Sequence, residues 1–162
     1  MKTMILGVGD FGASKDSGAT IKTYALGSCI AVILYDPNSH TAGMVHVALP
    51  DSKISAQKTK QRPGYFADTG IPVLLQKMKA LNGNSVGRGL VVKLVGGAAI
   101  MDKNDVFNIG KRNHLAIKKI LWGLGFGPVA EDVGGNFSRT VSVATDSGAV
   151  LVTSPGRGQW QI

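Results

Sequence analysis

The period of the apolar residues changes along this chain, and the changes mark its elements. Residues 3–8 and 19–24 read as extended segments, and two longer apolar runs follow at about 29–35 and 41–48. Beyond residue 64 the spacing becomes helical. Ile71, Leu74, Leu75, Met78 and Leu81 form one stripe and predict a helix over about 66–81. Pro72 falls in its first turn or so, where a missing N–H is tolerated, and Asn82-Gly83 closes it. Residues 90–95 read as a strand that stops at Gly96-Gly97. A second helix is predicted after Asn108, a suitable N-cap, with Ile117, Ile120, Leu121 and Leu124 as its stripe and Gly125 at its end. Residues 128–133 read as a strand, and 138–145 with 149–153 as a hairpin around Asp146-Ser147-Gly148. The order predicts a mixed α/β fold in one domain, 1–162, with two main helices packed on the strands.

The two central runs carry the candidate chemistry. Asp36-Pro37-Asn38-Ser39 lies between them and suits a type I turn, because proline pre-sets the φ angle of the second corner. If Asp36 faces Ser39, counting back along both strands sets Cys29 opposite His46. Opposed residues project from one face with Cβ atoms roughly 4.5–5.5 Å apart. A thiol and an imidazole at that separation can share a proton, which is how a cysteine nucleophile is activated. On this reading Cys29 has a depressed pKa and reacts with iodoacetamide at pH 7 faster than a free thiol. Two-residue type I hairpins splay their strands, so a longer loop that takes in His40 is the alternative, and a slip of one residue would turn His46 to the other face. A lone cysteine is most often a small buried hydrophobe, and a lone strand histidine is most often structural. Spacing leaves both readings open.

Composition narrows the classes. The 162 residues are 44% hydrophobic, enough for a real core without disulfides. One cysteine excludes an internal disulfide and a cysteine-based zinc cluster, and the three histidines, at 40, 46 and 114, show no metal-ligand spacing. Neither a metal nor a cofactor is called for. No leader-like run opens the sequence and no apolar stretch approaches the roughly 20 residues of a membrane span, so a cytoplasmic protein without membrane insertion is expected. The net charge of +8 suits an acidic partner. Nucleic acid is the competing reading, but aromatics are only 6% and do not alternate with basic residues. The densest basic stretch, Lys53 to Arg62, reads as a solvated loop or as a docking loop for an acidic partner.

Other motifs are weaker. Gly7-Val8-Gly9-Asp10-Phe11-Gly12 matches GxGxxG, but a dinucleotide site needs a helix to start there, and the polar run Ala13 to Gly18 follows instead. Thr23, near the end of the strand before Cys29, could orient an imidazole and fix its tautomer. Alone, a strand threonine is far more often structural. The small turn Leu26-Gly27-Ser28 could aim backbone N–H groups at an oxyanion in front of the thiol, or simply join two strands. Gly134-Gly135-Asn136 and residues 108–113 either punctuate structure or edge a pocket.

Together these segments resemble the bacterial chemoreceptor glutamine deamidase family, CheD. The matching pieces are Leu26-Gly27-Ser28-Cys29, Met44-Val45-His46 leading to Leu49-Pro50, and Tyr65-Phe66-Ala67-Asp68. Gly96-Gly97-Ala98, Asn108-Ile109-Gly110-Lys111-Arg112-Asn113 and Ala130 to Asn136 continue in family order, so the resemblance covers nearly the whole chain. Two departures stand out: Ala25 where the family usually has glycine, and an extra Phe66 that shifts the entry of the first helix.

The resemblance implies a mixed α/β sandwich, largely antiparallel, related to the catalytic domain of cytotoxic necrotizing factor toxins. It implies Cys29 as nucleophile, His46 as general base and acid, and Thr23 as the residue that orients His46; beside it, the reading of the turn itself expects backbone N–H groups of Gly27-Ser28-Cys29, Gly27 and Ser28 among them, to hold the oxyanion. The reaction implied is conversion of particular glutamines of methyl-accepting chemotaxis receptors to glutamate. It also implies the phosphatase CheC as a partner that modulates many members. The alternative is an adaptor that binds receptors and CheC on the same fold without catalysis.

Overall fold

The computed structural model describes residues 2–86, 89–100 and 107–162. Its strands form two five-stranded sheets. In the first, β1 (Lys2–Leu6), β3 (Ala19–Leu26), β8 (Arg139–Ala144), β9 (Val150–Ser154) and β10 (Gly158–Gln161) lie in the order β1-β3-β8-β9-β10. In the second, β2 (Phe11–Ser14), β4 (Ile30–Asp36), β5 (Thr41–Val47), β6 (Val91–Gly96) and β7 (Ala130–Val133) lie in the order β2-β5-β4-β6-β7. The β1–β3 and β6–β7 pairs are parallel and the other ladders antiparallel. Three α-helices, α1 (Ala56–Gln61), α2 (Ala67–Leu81) and α3 (Ile109–Gly123), and two short 3-10 turns, Ser52–Ile54 and Pro63–Tyr65, complete the described elements.

Two cores explain the sequence pattern. One lies between the sheets and gathers Ile21, Leu26, Ala31, Ile33, Met44, Val95, Val141, Val143 and Val152. The other lies between the second sheet and the helices and gathers Ile30, Val32, Leu34, Val45, Val47, Ile71, Leu74, Met78, Ile117 and Leu121. The second sheet is therefore covered on both faces. That is why β4 and β5 are buried at every position and read as unbroken apolar runs. The first sheet keeps one face in solvent, and β8 and β9 alternate buried with half-buried positions.

Helices α2 and α3 lie where their stripes predict. Gly125 ends α3 with φ +86. Asn108 stands at the N-cap position of α3, but with a left-handed backbone and no side-chain cap bond to the helix. Three expectations are corrected. Residues 11–14 form β2, because Phe11 and Ala13 pack on the helix-covered core; the short strand was hidden by its three small residues, Gly12, Ala13 and Ser14. Within the Lys53–Arg62 stretch, Ser55 caps α1, accepting from Lys58 N–H at 3.1 Å, so this segment is partly helical. Gly158–Gln161 adds an edge strand, β10, that no periodicity announced.

Candidate active site

The hairpin of β4 and β5 takes the longer loop that includes His40, not the two-residue loop closed by Asp36 and Ser39. Asp36 faces Thr41, so the loop runs from Pro37 to His40, and His40 takes a left-handed backbone with φ +51. That residue restores the strand twist which a bare type I turn would oppose. The register is displaced by two residues: Ala31, not Cys29, stands opposite His46, and Cys29 sits just before β4 begins. A two-residue displacement preserves the face. Cys29 accordingly packs with Ala31, Ile33, Ala42 and Met44 on the side that faces the first sheet, the face that His46 shares with Met44. Cys29 and His46 become diagonal neighbours, a spacing of roughly 7–8 Å along a sheet and still within side-chain reach.

His46 is 2% exposed and Thr23 is fully buried. Thr23 is in the first sheet, His46 in the second, and their side chains meet across the gap: Thr23 Oγ1 lies 2.7 Å from His46 Nδ1. The same hydroxyl lies 2.8 Å from Leu6 O, which can only accept. A hydroxyl has one proton, so Thr23 donates to Leu6 and must accept from Nδ1–H. The tautomer is thereby fixed, and Nε2 holds the lone pair. Nε2 is buried and has no hydrogen-bond partner among the described residues. The GxGxxG segment takes part here, as a turn and not as a nucleotide loop. Gly9 N–H donates to His46 O at 2.9 Å, and His46 N–H donates to Asp10 O at 3.0 Å, so the turn between β1 and β2 pins the histidine backbone from both sides.

Cys29 lies in the link that crosses from the first sheet to the second. Ala98 N–H donates to Gly27 O (2.8 Å), Asn113 Nδ2 to Ser28 O (3.0 Å), and Gly97 N–H to Cys29 O (2.8 Å). All three carbonyls of the link are held by donors from β6's exit and α3. In a trans peptide the C=O and the following N–H point in opposite directions, so the Ser28 and Cys29 N–H groups are aimed away from these donors. Neither group has a backbone acceptor among the described residues. The Gly96-Gly97 pair permits the approach: at Gly96, φ +125, a Cβ would fall 2.2 Å from Cys29 O. Upstream, Ala25 adopts φ +55 within an irregularity of the β3–β8 ladder. At that conformation glycine costs nothing and alanine about 1–2 kcal/mol.

Burial raises the Cys29 thiol above its ordinary range, with a smaller opposing effect from its own backbone N–H. Burial also lowers the His46 imidazole to about 4, against the opposing pull of Asp10. Both partners are driven toward their neutral forms. The expectation of a depressed thiol pKa is thus corrected, because a site between two sheets desolvates charge more than its neighbours restore it. A neutral thiol and imidazole can exchange a proton only in concert with attack by the sulfur.

Asn113 was not singled out from sequence. It is fully buried, and its Nδ2 also donates to Ala48 O at 3.0 Å, just past β5. Its position inside the dense turn-former segment 108–113 was the available signal. Among the described residues, no group of three or more His, Cys, Asp or Glu side chains is placed to hold a metal ion. No helix among them is long and apolar enough to cross a membrane.

A family model described as CheD chemotactic sensory transduction matches residues 48–154, which puts the chain in a class concerned with chemotaxis. The span begins just after His46, so the Cys29 and His46 segments are covered by whole-chain relatives instead. A probable chemoreceptor glutamine deamidase CheD of Syntrophotalea carbinolica is 63% identical over 100% of both chains. A second such protein, from Anaeromyxobacter dehalogenans, is 44% identical over 95% of this chain and 96% of its own. The chemoreceptor glutamine deamidase CheD of Thermotoga maritima is 38% identical over 96% of this chain and 94% of its own. The chain belongs to the CheD family.

Proposed function

We propose that this protein is a cysteine-dependent protein-glutamine deamidase that converts glutamines of methyl-accepting chemotaxis receptors to glutamate. The observation that carries the reading is the spent proton of Thr23. Because that hydroxyl already donates to Leu6 O, His46 must present Nε2 as a base on the face it shares with Cys29. The names of the whole-chain relatives support the substrate.

The steps follow from the groups present. As Cys29 Sγ attacks the carboxamide carbon, His46 Nε2 takes the thiol proton. The Ser28 and Cys29 N–H groups stabilise the oxyanion, since the ties on Gly27 O and Ser28 O aim them away from β6's exit and α3. Protonated His46 gives its proton to the departing nitrogen, and ammonia leaves a thioester on Cys29. Water then attacks the thioester while His46 takes a proton from it. The tetrahedral adduct expels Cys29 sulfur, which regains its proton, and the product is glutamate. Thr23 acts through His46, holding the Nδ1–H tautomer and stabilising the imidazolium that forms in each half-reaction.

The test is mass spectrometry of a purified receptor cytoplasmic fragment incubated with the wild-type protein or with Cys29→Ala. The expected result is a mass increase of about 1 Da at specific glutamines with the wild type alone. Equal conversion by both proteins would remove Cys29 from the mechanism. A wild type that binds the fragment without modifying it would make the protein an adaptor.

A further inference from the structure

We propose that Asn113 is a positioning residue: its carboxamide, gripped between Ser28 O and Ala48 O, sets the orientation of the Ser28–Cys29 peptide and locks it to the strand that carries His46. The proposal rests on the deamidase reading and extends it to a residue that never touches substrate.

Three observations carry it. First, both N–H groups of one buried amide are committed, each at 3.0 Å, to carbonyls belonging to the two halves of the site. Ser28 directly precedes Cys29, and Ala48 follows His46 by two positions. Second, the neighbouring carbonyls, Gly27 O and Cys29 O, are held by backbone N–H groups of Ala98 and Gly97. The tie on Ser28 O comes from a side chain, so truncating that side chain cuts it without altering the backbone. Since C=O and N–H oppose each other across a peptide, holding Ser28 O toward α3 turns Cys29 N–H to the opposite side. The Cys29 backbone N–H also works against the larger effect of burial, pulling the thiol pKa down. Third, the arrangement is costly. Asn113 Oδ1 is buried with no hydrogen-bond partner among the described residues. A side chain selected for stability alone would avoid an unpaired acceptor in the interior. The fold also makes room for it: Gly110, one turn earlier on α3, lies so close to Gly97 O that a Cβ would fall 2.4 Å away.

The experiment measures kcat and KM for conversion of the receptor fragment, and the pH profile of Cys29 alkylation by iodoacetamide. The variants are Asn113→Ala, the shape-conserving Asn113→Asp, and Ile117→Val as a control in the core below the same helix. Loss of an aligned oxyanion donor predicts a fall in kcat of about a hundredfold with KM within about threefold. It also predicts an alkylation profile displaced to higher pH in both Asn113 variants, with neither quantity moved by Ile117→Val. Folded Asn113 variants with kcat within about threefold of wild type, or an equal loss in Ile117→Val, would overturn the proposal. So would failure of both Asn113 variants to fold, which would make the residue structural. If the wild type itself leaves the receptor unmodified, the deamidase reading falls, and the alkylation profiles alone then decide whether Asn113 orients the Cys29 peptide.

Discussion

Thr23 and His46 meet across the gap between the sheets, and one hydrogen bond defines the pair. Replacing Thr23 with valine keeps the volume but removes the acceptor for Nδ1–H, so the imidazole is free to adopt the wrong tautomer. Steady-state assays of Thr23→Val should give kcat lower by about 10²-fold, the lower end of what general acid–base catalysis contributes, while Thr23→Ser, which retains the hydroxyl, should recover most of it. Equal activity in the valine variant would remove Thr23 from the machinery. The pH dependence follows from burial. With the imidazole lowered from 6.5 to about 4, His46 remains a base well into the acid range, so the acid limb of kcat/KM should fall near pH 4. Stability carries the same signature. Below about pH 6.5 the unfolded chain takes up a proton that buried His46 refuses until about pH 4. Its contribution is complete above pH 6.5 and is lost as pH falls through that window, by an amount on the order of 3 kcal/mol. Thermal melts of wild type and His46→Gln across pH 4–7 should converge toward the acid end.

At the scale of elements, the site is assembled by turns more than by the strands they join. Counting back from the turn between β4 and β5 put Cys29 and His46 on one face, and that survived because the observed loop is longer by an even number of residues. Had the loop grown by one, His46 would face the helices. No local rule chose between these loops; His40 at φ +51, stacked edge-on to Tyr35 with its Nδ1 2.9 Å from Asp146 O, holds the longer one in place. Gly96 illustrates the reverse case, where a small residue is demanded by another element. In Gly96→Ala the new Cβ would meet Cys29 O, in a backbone conformation alanine rarely adopts. Chemical denaturation should register a loss of about 3 kcal/mol, and the surviving folded fraction should have reduced kcat, because the peptide that must move belongs to Cys29. A wild-type-like variant would show that this close approach is dispensable.

For the molecule as a whole, the net charge of +8 is a property of surface and not of the buried site. An acidic receptor segment should be steered by it, so raising ionic strength should raise KM while kcat remains nearly constant. A KM indifferent to salt would leave the charge without a role in docking. The sequence by itself determined the α/β class, the two long helices and the fully buried strands, because these depend on periodicity and on short-range turn chemistry, whereas the face shared by Cys29 and His46 hung on a loop length that only the structure decided. Strand β10 and the short β2 escaped it, since neither has enough apolar residues to establish a period. Only the tertiary structure brought Thr23 against His46, because the two belong to different sheets and no spacing along the chain measures the gap between them. It alone drew Asn113 from α3 to the carbonyl before Cys29. It also reversed the expected charge state of the thiol, because desolvation is set by what closes over a group, and here a second sheet does so.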